Sequence, residues 1–68
     1  MLLHERLKQL REEKDISQEE LSKIVNITTR SYQRYEKGER EPSLATLKNI
    51  ATFYNVTLDY LVGLTNNK

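Results

Sequence analysis

Apolar residues along the chain recur at intervals of three and four, and four of these runs are preceded by a serine or threonine. This spacing is typical of one face of an α-helix, and a hydroxyl side chain before the run can cap the first backbone amides. No segment shows the strict alternation of a β-strand. The sequence therefore predicts an all-α fold of five helices, at about 2–14, 18–25, 29–37, 43–54 and 57–63.

The first predicted helix carries its apolar stripe on Leu3, Leu7 and Leu10. Its outer side is charged and polar, and Arg11 lies beside the stripe, because residues four apart are neighbours on a helix. His4 is the single histidine and has no second metal ligand near it in the sequence. We therefore expect His4 to lie on the surface and no metal site to form.

The stretch from 17 to 37 contains two short helical patterns joined by a tight turn. Ser17 stands three residues before a glutamate, which is the spacing of a capping box. Asn26 suits the left-handed backbone at the end of the first pattern, and Gly38 is the usual residue for the end of the second. Thr28 can cap the second pattern. Two helices joined by a turn of about three residues form a helix-turn-helix.

The second helix of this motif has two different faces. Tyr32, Tyr35 and Glu36 share one side by helical spacing. The other side carries three cations, an amide and a hydroxyl, and no acid. Such side chains hydrogen-bond base edges and phosphates. An ordinary solvated face is the alternative, but the tight turn and the capped helix before it favour contact with nucleic acid. The residues of this second side are Thr29, Arg30, Gln33, Arg34 and Lys37.

The last two predicted helices follow a polar segment in which Pro42 cannot continue the previous helix and Ser43 can cap the next. In the fifth helix, three other apolar residues already define an inner face, so we expect Tyr60 to be exposed. Leu64, beyond that helix, has no obvious place in the core. The inner face of the fourth helix is expected to comprise Leu44, Leu47, Ile50, Ala51 and Tyr54.

Length and composition limit what the chain can be. Its 68 residues suffice for one small domain, and the absence of cysteine excludes disulfides and thiol chemistry and suits a reducing cytoplasm. No apolar run approaches the ~20 residues of a membrane span, and no segment of signal-peptide type is present. We expect a single domain over residues 1–68 in the cytoplasm, without a membrane partner.

The residues offer little to an enzyme. One histidine, no cysteine, no glycine-rich phosphate loop and no acids clustered near a base leave no catalytic group to assign. We therefore expect no enzymatic activity, no cofactor and no small-molecule ligand. The net charge of +1 is also too small to indicate a nucleic-acid binder by itself, although residues 28–40 carry four cations against two acids.

Four blocks of the sequence resemble the lambda-repressor-like helix-turn-helix family of phage and bacterial regulators, also called the Cro or XRE type. The blocks are LRxxK, SQEEL, RYEKGEREPS and LxxIAxxxxVxLDYL, in that order, and the resemblance covers residues 5–63. It implies a sequence-specific regulator of transcription, of repressor type, whose third helix enters the major groove of double-stranded DNA. A protein-interaction module, such as an antitoxin or an antagonist of another regulator, is the alternative.

The resemblance and the two faces of the third helix together assign site residues. We expect base edges to be read by Thr29, Arg30, Gln33 and Arg34, although Arg34 can also reach a phosphate. We expect phosphates to be contacted by Ser17, Gln18, Thr28, Lys37, Gly38 and Arg40. The resemblance also implies a buried ion pair between Arg11 and Glu36, because an acid on the inner face needs a partner.

One domain of this size reads only a few base pairs. We therefore expect a homodimer on a palindromic operator whose half-sites lie about one helical turn, ~34 Å, apart. The candidate contacts between protomers are Tyr60 and Leu64. On this interpretation the protein is of bacterial or phage origin and is associated with the nucleoid when bound.

Three residues depart from the commonest pattern of the family. Asn26 and Asp15 stand where glycine is frequent, so we expect an acceptable left-handed turn at the first and a strained or differently closed loop at the second. Tyr32 replaces a smaller β-branched residue, and we expect it to alter the packing of the third helix on the second.

Overall fold

The computed structural model describes residues 1–68 and contains five α-helices and no strand. The all-α prediction is confirmed, and most helix ends lie within one residue of their predicted positions. The fifth helix is shorter than predicted because the chain turns at Gly63, whose φ is +85°. The helices are α1 Leu3–Glu13, α2 Gln18–Ile24, α3 Thr29–Lys37, α4 Leu44–Tyr54 and α5 Leu58–Leu61.

Four of the helices begin with the predicted hydroxyl caps. The side chains of Ser17, Thr28, Ser43 and Thr57 each accept a hydrogen bond from the backbone amide three residues further on, at 3.0–3.2 Å. Each such cap contributes about 1 kcal/mol to helix stability. These local interactions determine where α2 to α5 begin.

The helix ends share one backbone arrangement. Asp15, Asn26 and Asn55 have φ of 54°, 60° and 56°, the left-handed region that short polar side chains tolerate. The amide of the following residue then bonds back five residues, as in Ile16 to Arg11 at 3.3 Å. This is the Schellman arrangement, in which an apolar residue follows the left-handed one and packs on the core. The residues in that apolar position are Ile16, Ile27 and Val56.

The core is built around α3, which packs against both α1 and α2, while α5 packs against α4 and α1. Leu7 and Leu10 of the α1 stripe are buried as predicted. Eleven apolar residues form one buried cluster, and all four tyrosines belong to it, including the three that were expected to pack inside. The cluster comprises Leu7, Leu10, Leu21, Val25, Tyr32, Tyr35, Ile50, Ala51, Tyr54, Tyr60 and Leu61. None of the five helices has the length and apolarity needed to cross a membrane.

Two apolar residues lie outside the core, against expectation. Leu44, predicted on the inner face of α4, is 60% exposed. Ile24 of α2, which helical spacing places on the same face as Leu21 and Val25, is 50% exposed. Leu44 is the first residue of its helix, and Leu47, three residues later, is the first residue of that face to pack against the core. The buried apolar residues on that side of the seven-residue α2 are Leu21 and the C-cap residue Val25.

The expectation that Tyr60 is exposed is wrong. Its side chain is 4% exposed, and the guanidinium of Arg6 lies 3.7 Å from the centre of its ring. Arg6 is itself 3% exposed and pairs with no carboxylate; its Nη1 donates to Gln9 and its Nε is buried without a partner. The aromatic ring therefore provides the main stabilisation of a buried cation. Tyr60 is consequently unavailable as a contact between protomers, whereas Leu64 is 78% exposed.

We predict that Tyr60→Leu lowers the free energy of unfolding by about 2 kcal/mol or more, because the desolvated Arg6 loses its ring. Tyr60→Phe retains the ring and should cost less than about 0.5 kcal/mol. Urea unfolding followed by circular dichroism measures both variants. Equal losses in the two variants would assign the stabilisation to the tyrosine hydroxyl instead of the cation–π contact.

Candidate nucleic-acid interface

One side of α3 is fixed inside the protein. Tyr32 is fully buried, Tyr35 is 8% exposed and the side chain of Glu36 is 5% exposed. These are the three residues that helical spacing assigned to the inner face. Since this side contacts both α1 and α2, the opposite side of α3 is held in a defined orientation towards solvent.

The buried carboxylate of Glu36 joins three helices. Arg11 of α1 donates to it through Nε at 2.6 Å and Nη2 at 3.1 Å, and Gln18 of α2 donates at 3.2 Å. Arg11 also donates through Nη1 to the carbonyl of Ile16, at 2.9 Å. The expected ion pair between Arg11 and Glu36 is thus present and bidentate, the strongest form of such a pair.

The ionisation of this cluster follows from its surroundings. Burial alone would raise the pKa of Glu36, but the hydrogen bond from Arg11, assisted by Tyr32 and Gln18, lowers that pKa overall. The Tyr32 hydroxyl lies near the carboxylate without the geometry of a full hydrogen bond. Burial and then the charge of Glu36 raise the pKa of Tyr32 above its ordinary value. The carboxylate is therefore ionised and the phenol neutral at pH 7.

The solvent side of α3 presents the predicted reading residues. Arg30, Gln33 and Lys37 are exposed, Arg34 is half-buried, and no acid lies among them. None of these cations is engaged in an ion pair. Thr29 lies at the edge of this side, half-buried, with its hydroxyl 3.0 Å from that of Ser22.

The residues predicted to contact phosphates differ in whether their polar groups already have a partner within the protein. The hydroxyls of Ser17 and Thr28 cap helices, and Gln18 holds Glu36. The amide of Gly38 donates to the carbonyl of Tyr35 at 3.2 Å, so its hydrogen is already used. The two exposed cations, Lys37 and Arg40, have no partner in the protein.

Five of these six candidates line two separate hollows, and Thr28 lines neither of them. One open hollow is lined by Ser17, Gln18 and Lys37 together with Lys8 of α1. Arg40 instead lines a second hollow, with His4 and Gly38. Gly38 is required there, because its φ is +75° and a Cβ would lie 3.1 Å from the imidazole of His4.

Lys8 lines the first hollow but was not among the candidates chosen from the sequence. It is exposed and lies three residues before Arg11, on the same side of α1. That spacing, combined with the expected pairing of Arg11 with the third helix, was the signal available in the sequence. Ser22 was also missed, because a serine inside a short helix shows no sign of a partner seven residues later. No group of residues suited to bind a metal ion occurs in the structure.

Comparison with known proteins places these features in a wider group. A family model described as Helix-turn-helix matches residues 7–61. The chain is 40% identical over 68 residues to the uncharacterized HTH-type transcriptional regulator YqaE of Bacillus subtilis, covering 98% of this chain and 59% of that protein. It is 36% identical to the cryptic phage CTXphi transcriptional repressor RstR of Vibrio cholerae, covering 85% of this chain and 52% of that protein. The chain thus spans somewhat more than half the length of these curated relatives.

Solved structures share the fold. A transcriptional regulator from Listeria innocua superimposes with a TM-score of 0.86 at 30% identity, covering 90% of this chain and 57% of that one. The P22 c2 repressor, solved in complex with synthetic operator 9T, superimposes with a TM-score of 0.86 at 27% identity. That match covers 91% of this chain and 94% of the repressor chain.

We predict that Glu36→Gln lowers the free energy of unfolding by about 3 kcal/mol at pH 7, because Arg11 then lacks a negative partner. The folded-state pKa of Glu36 is below its ordinary value of 4.5. The stabilisation that ionised Glu36 gives the fold is therefore fully present above the ordinary pKa, and it is lost as the pH falls through the lowered pKa. The difference between parent and variant should accordingly shrink as the pH falls below the ordinary value.

Urea unfolding at pH 7 and at successively lower pH measures this difference. Glu39→Gln is the matched control, because Glu39 is exposed and makes no ion pair, and it should change stability by less than about 0.5 kcal/mol. A difference between parent and Glu36→Gln that stays constant down to the lowest pH would show that the charge of Glu36 is not what stabilises the fold.

Proposed function

Because this chain belongs to the lambda-repressor-like helix-turn-helix family, also called the Cro or XRE type, we propose that it regulates transcription by binding double-stranded DNA sequence-specifically. In this proposal α3 enters the major groove and α2 crosses the phosphate backbone above it. The observation that carries the proposal is the division of α3 into a buried side fixed by Glu36 and an exposed side with cations and an amide but no acid.

Repression is the form of regulation that we propose. Two of the similar proteins described above are named as repressors, and the P22 c2 repressor was solved with operator DNA. In a repressor of this kind, binding at an operator is itself sufficient to block transcription. We further propose that the protein works in the bacterial cytoplasm, at the nucleoid, because that is where such operators lie.

The protein-interaction alternative receives less support from the exposed side of α3. Protein interfaces depend on a few large, well-packed anchor residues, above all Trp, Tyr and Arg. The tyrosines of α3 are buried, and its exposed side has no apolar residue to surround an anchor. The exposed large apolar residues are outside α3: Met1, Leu2, Ile24, Leu44 and Leu64. We propose no enzymatic role.

A homodimer on a palindromic operator completes the proposal. One recognition helix contacts few base pairs, so two protomers are needed for useful specificity, with half-sites ~34 Å apart. Leu64, which follows α5 and is 78% exposed, is the remaining candidate for a contact across a two-fold axis.

Selection of bound sites from a random duplex library tests the whole proposal. We expect two inverted half-sites and, by sedimentation, two protomers on the selected duplex. Affinity should fall by ~10³-fold or more between about 50 and 200 mM salt if about six phosphates are contacted. The absence of any selected sequence, or an affinity independent of salt, would contradict DNA binding. A single protomer on an inverted repeat would contradict the dimer alone.

We predict that base readers and phosphate contacts respond differently to alanine substitution. Arg30→Ala and Gln33→Ala should each cost ~1–3 kcal/mol on the selected site, less on random DNA, and relax the preference at particular base pairs. Lys37→Ala and Arg40→Ala should weaken binding to all sequences alike and lower the salt slope by about one unit each.

Site selection and salt titration on the four variants separate the base readers from the phosphate contacts. Applied to Arg34→Ala, the same measurements assign Arg34 to one of these two groups. Lys48→Ala is the control, because Lys48 is an exposed lysine of α4 that lines neither hollow. Unchanged site preferences in Arg30→Ala and Gln33→Ala would mean that the reading face of α3 is assigned wrongly.

A further inference from the structure

A pair of hydroxyl groups connects α2 to the edge of the reading face. Ser22 of α2 is 1% exposed, and its Oγ lies 2.7 Å from the carbonyl oxygen of Glu19 and 3.0 Å from Oγ1 of Thr29. Thr29 is the first residue of α3 and is half-buried. One atom of a buried serine therefore touches a residue that we expect to face a base.

The direction of these hydrogen bonds follows from counting protons. A serine hydroxyl has one proton, and a backbone carbonyl can only accept. Ser22 therefore donates its proton to Glu19, at the shorter of the two distances. Its oxygen must then accept the proton of Thr29. The Thr29 hydroxyl consequently points its proton into the protein and leaves only lone pairs for an external partner.

We infer that Ser22 fixes the base preference of Thr29 without itself touching DNA. With its proton committed to Ser22, Thr29 can accept a hydrogen bond from a base but cannot donate one. In the major groove the exocyclic amino groups of adenine and cytosine are the donors, whereas O6 of guanine and O4 of thymine are acceptors. Thr29 therefore selects an amino-bearing base. This inference rests on the proposed function, because it requires α3 to lie in the groove.

A second hydroxyl pair in the same region provides an internal comparison. Thr28 donates to the hydroxyl of Ser31 at 2.9 Å and accepts from its amide at 3.1 Å. Ser31 is half-buried in the first turn of α3, like Thr29, but it lies two residues further on and hence on a different side of the helix. Loss of the Ser31 hydroxyl should therefore perturb the start of α3 without changing a base preference.

The test begins with site selection on the parent and on Thr29→Val, which replaces the hydroxyl by a methyl group. The position whose preference changes is the base that Thr29 faces, and in the parent site it should be adenine or cytosine. Replacing that base by its deaminated counterpart, hypoxanthine or uracil, exchanges the amino group for a carbonyl oxygen. Because the deaminated base forms a mispair with the unchanged opposite base, the affinity that Thr29→Val loses on the deaminated duplex measures the effect of the mispair alone. The parent should lose about fivefold to tenfold more affinity than Thr29→Val does.

Ser22→Ala supplies the decisive comparison, because it frees the Thr29 proton to donate. We expect its loss of affinity on the deaminated duplex to equal that of Thr29→Val within about twofold, while Ser31→Ala shows the larger loss of the parent. Thermal unfolding checks that each variant is folded. If Ser22→Ala does not fold, the discrimination between amino and carbonyl bases by the parent still tests the direction of the hydrogen bond.

Several results would overturn the inference while leaving DNA binding intact. These are a parent that loses no more affinity on the deaminated duplex than Thr29→Val does, a Thr29→Val variant with no altered position, and a Ser22→Ala variant that keeps the larger loss of the parent or loses affinity for all sequences equally. A parent that selects no duplex at all would instead contradict the proposed function.

Discussion

The carboxylate of Glu36 is the constraint on which the arrangement of the first three helices depends. It stands on the inner side of α3, where an unpaired negative charge would be strongly unfavourable. Arg11 of α1 and Gln18 of α2 both donate hydrogen bonds to this carboxylate. Pairing the charge of Glu36 therefore brings three helices into contact. A nine-residue helix such as α3 has little stability in isolation. Its orientation is consequently a property of the whole cluster, and the position of every residue on its exposed side follows from that orientation.

Much of the fold could be predicted because its signals are local. A hydroxyl cap or a left-handed Asn is determined by a few neighbouring residues, and the structure has these features at Ser17, Thr28 and Asn26. The faces of α3 were predictable for the same reason, since helical spacing alone separates Tyr32 and Tyr35 from Arg30 and Gln33. The loop at Asp15, which was expected to be strained or to close differently, has the same left-handed backbone as the turn at Asn26. Fully buried Tyr32 is accommodated with its hydroxyl beside the Glu36 cluster.

Features that depend on distant partners could not be predicted in this way. Tyr60 is buried because Arg6, 54 positions earlier in the numbering, places a guanidinium on its ring. Counting the apolar residues of α5 alone gave the opposite expectation. Lys8 and Ser22 were overlooked for a related reason. Their place at the candidate interface arises from the packing of α1 and α2 beside α3, which puts Lys8 in one hollow with Lys37 and Ser22 in contact with Thr29.

The uneven distribution of exposed charges, and not the net charge of +1, makes the solvent side of α3 cationic. Arg11 and Glu36 neutralise one another inside the protein, and Arg6 is buried against an aromatic ring, so neither arginine contributes to the exposed side of α3. The charge of that side comes from Arg30, Arg34 and Lys37, with no acid to offset them. A charge buried and paired in the core is weakly felt outside, whereas exposed charges act within about one Debye length, ~8–10 Å. The sign of a surface thus depends on where the exposed charges lie, which a count over the whole chain does not show.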